Sequence, residues 1–170
     1  MAKKEGPVVS VIMGSDSDYS VMEEGISVLT AFKVSHELYL TSAHRAPERT
    51  SAFARGAAKR GIKIIIAGAG AAAHLAGVVA SQTTLPVIGV PIDATSLKGL
   101  DALLATVQMP GGIPVATMAI GKAGAKNAAL LAVRILALTD KALNESLHAY
   151  IANMARDVET NHEKILCRKS

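Results

Sequence analysis

Aromatic side chains are nearly missing from this chain: two Phe, three Tyr and no Trp in 170 residues. Without stacking rings, and with a net charge of +4 scattered rather than gathered on one face, the sequence has neither platform that nucleic-acid binding uses. Cysteine is as scarce. Cys167 stands alone in a polar tail, which excludes an intramolecular disulfide; with five dispersed histidines it also leaves no zinc-ligand set, so no metal is expected. No run reaches the ~20 uncharged apolar residues of a membrane span without Gly or Pro. The opening Met1-Ala2-Lys3-Lys4-Glu5-Gly6-Pro7 has no apolar stretch of signal-peptide type. A cytoplasmic location is therefore expected.

What is present is small and aliphatic. Half of the residues are hydrophobic, almost all of them Ala, Val, Ile and Leu, which suits close contact of helices with a sheet. The positive mean hydropathy points further, to apolar surface buried between subunits. Val8–Met13 reads as a buried strand closed by Gly14, and Val21, Met22, Ile26, Leu29 and Phe32 mark one face of a following helix. Residues 34–40 alternate polar and apolar, as an outer, half-exposed strand does. Pro47 suits the first turn of a helix reaching about Arg60, which Gly61 stops. Lys63–Ala67 is a third strand, leading through a Gly68-Ala69-Gly70 loop to a helix ending near Ala80. Pro86–Val90 is a fourth strand, Leu100–Val107 a helix, Val115–Ile120 a fifth strand and Ala123–Leu138 an Ala/Leu-rich helix. A charged helix over about 140–167 is expected to cover neighbouring subunits.

Strands alternating with helices imply a parallel sheet with right-handed crossovers. The expected fold is thus α/β, a single three-layer doubly wound domain of flavodoxin-like or Rossmann-like type over 1–170, its core at about 8–138.

In such a sheet, ligands bind beyond the carboxyl ends of the strands. Gly14-Ser15-Asp16-Ser17-Asp18 offers a helix start for an anion, serine hydroxyl donors, and in Asp18 an acceptor for sugar hydroxyls. N-capping by Ser and Asp explains the same residues without a ligand. After the second strand, Ser42-Ala43-His44-Arg45 sets a planar cation suited to phosphate beside an imidazole that both gives and takes protons. His74, in the apolar run Ala71-Ala72-Ala73-His74-Leu75-Ala76, fits a core histidine and a site-lining one equally. Gly68-Ala69-Gly70-Ala71-Ala72-Ala73 formally matches the dinucleotide pattern G-x-G-x-x-A, but it follows the third strand rather than the first. His36, His148 and His162 read as structural.

Taken together, the motifs resemble one family. They are Met13–Asp18, Ser42–Arg45, Ala67–Gly70 with Ala73-His74-Leu75, Leu85–Pro91, Val107–Thr117 and Ala119–Ala125. In this combination, from about Val8 to Leu138, the chain resembles the catalytic family of phosphoribosylaminoimidazole carboxylases, in particular its bacterial-type mutase class. The resemblance implies a cofactor-free isomerase of de novo purine (IMP) biosynthesis. Its substrate would be 5-(carboxyamino)imidazole ribonucleotide, made by an ATP-dependent synthetase, and its product 5-amino-imidazole-4-carboxylate ribonucleotide. It further implies a homo-octamer with His44 as proton shuttle. Ser15, Asp18 and Arg45 would hold the ribose phosphate, and Ser42, Gly70, His74 and Leu75 would line the pocket. A glycine-loop of N–H donors over Gly68–Ala73 would hold the migrating carboxylate. Direct carboxylation of aminoimidazole ribonucleotide is the second enzymatic reading; a non-catalytic nucleotide- or dinucleotide-binding module is the third. Relatives commonly carry Gly at position 71, Pro at 76 and Thr at 46, where this chain has Ala in each case.

Overall fold

The computed structural model describes residues 6–167. Five strands form one sheet: β1 (Val9–Met13), β2 (His36–Leu40), β3 (Ile64–Gly70), β4 (Val87–Ile92) and β5 (Ala116–Thr117). Their order is β2-β1-β3-β4-β5 and every pairing is parallel, which is the flavodoxin-like doubly wound arrangement. The helices are α1 (Tyr19–Ala31), α2 (Pro47–Ala57), α3 (Leu75–Ala80), α4 (Leu100–Val107), α5 (Lys122–Ala137) and α6 (Lys141–Cys167). Two compact units are distinguished, residues 1–132 with the whole sheet and residues 133–170 with the end of α5 and all of α6. No helix among the described residues is long and apolar enough to cross a membrane.

Burial follows from layering. β1 is buried at all five positions, as a parallel strand covered on both faces must be. β2 is only partly buried and pairs with β1 alone, which makes it an outer strand, as its alternation predicts; β5 is the other. On one face Ile12, Ile65, Ala67 and Val87 meet Phe53, Ala54 and Ala57 of α2 and Leu75, Ala76 and Val79 of α3. On the other face lie α1 and the start of α5. There a Cβ on Gly25 would come within 2.6 Å of the Ala125 carbonyl oxygen, so glycine is what lets these two helices touch. The buried Ala125, Ala128, Ala129 and Ala132 form the matching stripe.

Among the boundaries that differ from the sequence expectation, three bear on the site or have a clear physical reason. Gly68-Ala69-Gly70 is not a loop but the end of β3, with Gly68 paired to both Met13 and Val90, and Gly70 to Ile92. These glycines serve close approach: a side chain at 68 would strike the Met22 thioether, and one at 70 would meet Ala94 at 2.5 Å. The true loop is therefore 71–74, and α3 starts only at Leu75. The fifth strand keeps two of its six expected residues. Pro91 turns its carbonyl towards that side and accepts from the Gly121 N–H at 2.8 Å; the N–H that a further rung would use is the one proline lacks. Lastly, α2 ends at Ala57 and a single 3-10 turn, Ala58–Arg60, carries the chain to Gly61 at φ +93°.

Candidate active site

The strand order reverses between β1 and β3, the point where doubly wound sheets bind ligands. A cavity of about 450 Å3 opens there. Gly14, Ser15, Ser17 and Asp18 line it from the end of β1, Ser42–Arg45 from the end of β2, and Ala69–Ala72 with Leu75 from β3 and its loop.

The β1 arm ties itself together. Ser15 is extended (φ −146°, ψ 156°) and caps the short 3-10 turn Asp16–Asp18. Its hydroxyl oxygen accepts from the Ser17 N–H at 3.4 Å, while its own N–H donates to the Asp18 carboxylate at 2.9 Å. This is a capping box, so the capping role and the cavity-lining position coincide. Asp18 is 4% exposed. Desolvation by burial raises its pKa above the ordinary carboxylate value; the Ser15 and Gly14 backbone donors oppose this, Asp16 adds repulsion and Arg45 attraction.

The β2 arm is pinned at its base by two threonines that sequence reasoning passed over. Thr41 and Thr50 are buried and share a hydroxyl–hydroxyl bond of 2.8 Å. The only hint in the sequence is their spacing across the Pro47 helix start. Above them, the Ser42 hydroxyl accepts from the Arg45 N–H at 3.2 Å. The Arg45 guanidinium donates to the Gly14 carbonyl at 3.3 Å, linking this arm to the β1 arm.

His44 and His74 meet. Nε2 of His44 lies 2.8 Å from Nδ1 of His74, with ring centroids 5.0 Å apart and planes at 85°. His74 is exposed, so it is not a core histidine. It reaches the cavity through His44 rather than lining it. A hydrogen bond between two imidazoles needs one donor and one acceptor. The pair therefore keeps its bond with one added proton and loses it with two.

The loop that carries His74 is tight. Ala71 has φ +52°, a left-handed backbone that costs a residue with a Cβ. The Ala73 N–H donates to the Ala71 carbonyl at 2.8 Å and the His74 N–H to the Ala72 carbonyl at 2.7 Å. Both donors are thus committed within the turn, so within Gly68–Ala73 the Ala73 N–H is already used. Among the described residues, no group of three or more His, Cys, Asp or Glu side chains could hold a metal ion.

The strand order and the cavity at its reversal define a doubly wound α/β protein whose cleft carries a histidine beside an arginine. The family model for AIR carboxylase matches residues 8–157. The chain belongs to that family. It is 54% identical over 163 residues to the N5-carboxyaminoimidazole ribonucleotide mutase of Pyrococcus horikoshii, covering 96% of this chain and 91% of that protein. It is 50% identical over 161 residues to the phosphoribosylaminoimidazole carboxylase of Schizosaccharomyces pombe, covering 95% of this chain but 29% of that protein. The crystal structure of Treponema denticola PurE superposes with a TM-score of 0.84 at 31% identity, covering 93% of this chain and 98% of that one.

Proposed function

We propose that the chain is the isomerase of purine biosynthesis that converts 5-(carboxyamino)imidazole ribonucleotide to 5-amino-imidazole-4-carboxylate ribonucleotide. The observation that carries this reading is His44, bonded to His74 and standing in one cavity with Ser15, Asp18, Ser42, Arg45, Gly70 and Leu75. The names of the relatives in archaea and bacteria support it.

In this reading Arg45 and Ser15 take the phosphate end, and the Asp18 carboxylate accepts from ribose hydroxyls. His44 delivers a proton to the exocyclic nitrogen as its bond to the carbamate carbon breaks and carbon dioxide forms. Carbon 4 of the ring then attacks the retained carbon dioxide, and His44 takes the proton that carbon 4 must lose. One proton is given and one regained. The cycle therefore balances without a cofactor or metal, and His74 keeps the His44 ring oriented between the two transfers. The apolar wall of Ala69, Ala71, Ala72 and Leu75 suits a small uncharged molecule that must not escape.

Direct carboxylation remains the second reading, because the Schizosaccharomyces pombe relative bears that name. Bicarbonate separates the two. Turnover of the carbamate nucleotide in bicarbonate-free buffer is expected; an absolute bicarbonate requirement would overturn the mutase reading.

We further read the chain as a cytoplasmic homo-octamer that binds neither nucleic acid nor membrane and receives its substrate from an ATP-dependent synthetase. Two apolar stripes support the assembly. Leu97 just before α4 and Leu100, Leu104 and Val107 along it are each about half exposed, and Ile151, Met154, Val158 and Ile165 are exposed along α6. Contiguous exposed apolar surface of this kind suits contact with further copies.

A further inference from the structure

Beside the main cavity lies a second one of about 290 Å3, continuous with it through Gly14, Ser15, Ser42 and Arg45. Its far wall is Arg49, one helical turn beyond Arg45. The Arg49 guanidinium lies 4.9 Å from the centre of the Tyr39 ring, and that ring stacks on Phe53 at 4.5 Å. Arg60 sits in the same way over Phe53, also at 4.9 Å, and provides a contrast. Arg60 is paired with Glu37 at 3.1 Å, whereas among the described residues neither Arg49 nor Arg45 has a carboxylate within ion-pair distance. Asp16 also lines the cavity, but its Oδ1 already accepts from the Ser15 hydroxyl and the Ser17 N–H. The cavity thus holds two guanidinium groups, serine hydroxyls and a surplus of positive charge.

We propose that Arg49 is a second phosphate-binding residue, and that this side cavity seats the phosphate of the ribonucleotide between Arg45 and Arg49. The inference rests on the nucleotide reading above and adds a residue to it. A phosphate monoester carries close to two negative charges near neutral pH, and Arg45 supplies one positive charge. Arg49, held rigid over an aromatic ring, supplies the other with a planar donor fork matched to phosphate oxygens. His44 lines the main cavity but not the side cavity, whereas Arg49 lines only the side cavity, so the two would serve different ends of the ligand.

Arg49→Met keeps an apolar stem against Tyr39, and Arg49→Lys keeps the charge. For Arg49→Met we expect the KM for the carbamate nucleotide to rise about tenfold, the size of one charge-assisted hydrogen bond, with a far smaller change in kcat. The inhibition constant of ribose 5-phosphate should rise in parallel, and Arg49→Lys should recover most of both losses. Either constant staying within about twofold of the parent would overturn the assignment, as would a loss of nucleotide turnover with ribose 5-phosphate inhibition intact. If the unmodified protein converts no carbamate nucleotide, the functional reading fails by itself. Calorimetric binding of ribose 5-phosphate to the parent and to Arg49→Met then still decides the role of Arg49.

Discussion

The two arms of the cleft are held by different kinds of bond. In the β1 arm, Ser15, Asp16, Ser17 and Asp18 satisfy one another within four positions of chain. In the β2–β3 arm, the contact that matters joins His44 to His74 across thirty positions. It forms only when β1 has brought β2 and β3 to either side of itself. Ser15 and Asp18, which read as binding groups, are therefore set locally, while the group that reads as the proton carrier depends on the assembled sheet, as does Arg45 through its bond to Gly14. Binding and turnover should separate along this division.

The largest effect should come from the long-range arm. His44→Asn should retain nucleotide binding and lower kcat by about 100-fold to 10,000-fold, the usual yield of a general acid–base group. Near-parental kcat in steady-state assays would remove the distinction between the arms. A change in the local arm should strike affinity first. Asp18→Asn keeps an acceptor for the Ser15 N–H but loses the charge that ribose hydroxyls would meet, so calorimetric affinity for the product nucleotide should fall about tenfold or more.

The same variant carries a stability prediction of the opposite sign. Burial raises the Asp18 pKa in the folded protein, so the folded state holds its proton more tightly than the unfolded state does. Stability then falls as pH rises from the ordinary carboxylate range through the raised folded value. Asp18→Asn should melt higher than the parent at neutral pH, and the gap should close as pH drops below about 4. A gap independent of pH would mean that the carboxylate is not the strained element of the β1 arm.

The smallest effect concerns the loop that delivers His74. Ala71→Gly should raise stability by about 1 kcal/mol in thermal denaturation, because glycine adopts the left-handed backbone without a Cβ clash. Turnover should stay of the same order. No gain in stability would show that the turn is not strained by its methyl group.

Much of this arrangement is legible in the sequence. Apolar runs and one alternating segment give the five strands in order, and the alternation of residues 34–40 marks one of the two outer ones. Ser15, Asp18, Ser42, His44, Arg45, Gly70 and Leu75 all fall at strand ends and all line one cavity. Their chemical roles are the proposal above. What escapes is whatever depends on partners distant in the chain. Gly68–Gly70 looks like a loop because glycine usually punctuates; its membership of β3 follows only from Met22 and Ala94 pressing against it. The short fifth strand follows from Pro91 on its neighbour. The departures from relatives become physical only in three dimensions. Ala71 sits at a positive φ, and Ala46 is the N-cap of α2 without a side-chain bond to the helix, where a threonine would supply one.

The contact of α1 with β3 at Gly68 has a consequence in the chemistry of oxidation. Gly68 leaves room for the Met22 thioether beneath the strand, and Met22 is 1% exposed. Sulfoxidation adds an oxygen for which the β3 backbone leaves no space, so an oxidant reaches this sulfur only while α1 stands away from the sheet. The rate at which peroxide modifies Met22 is therefore a clock for the breathing of α1 against β3, read without any ligand.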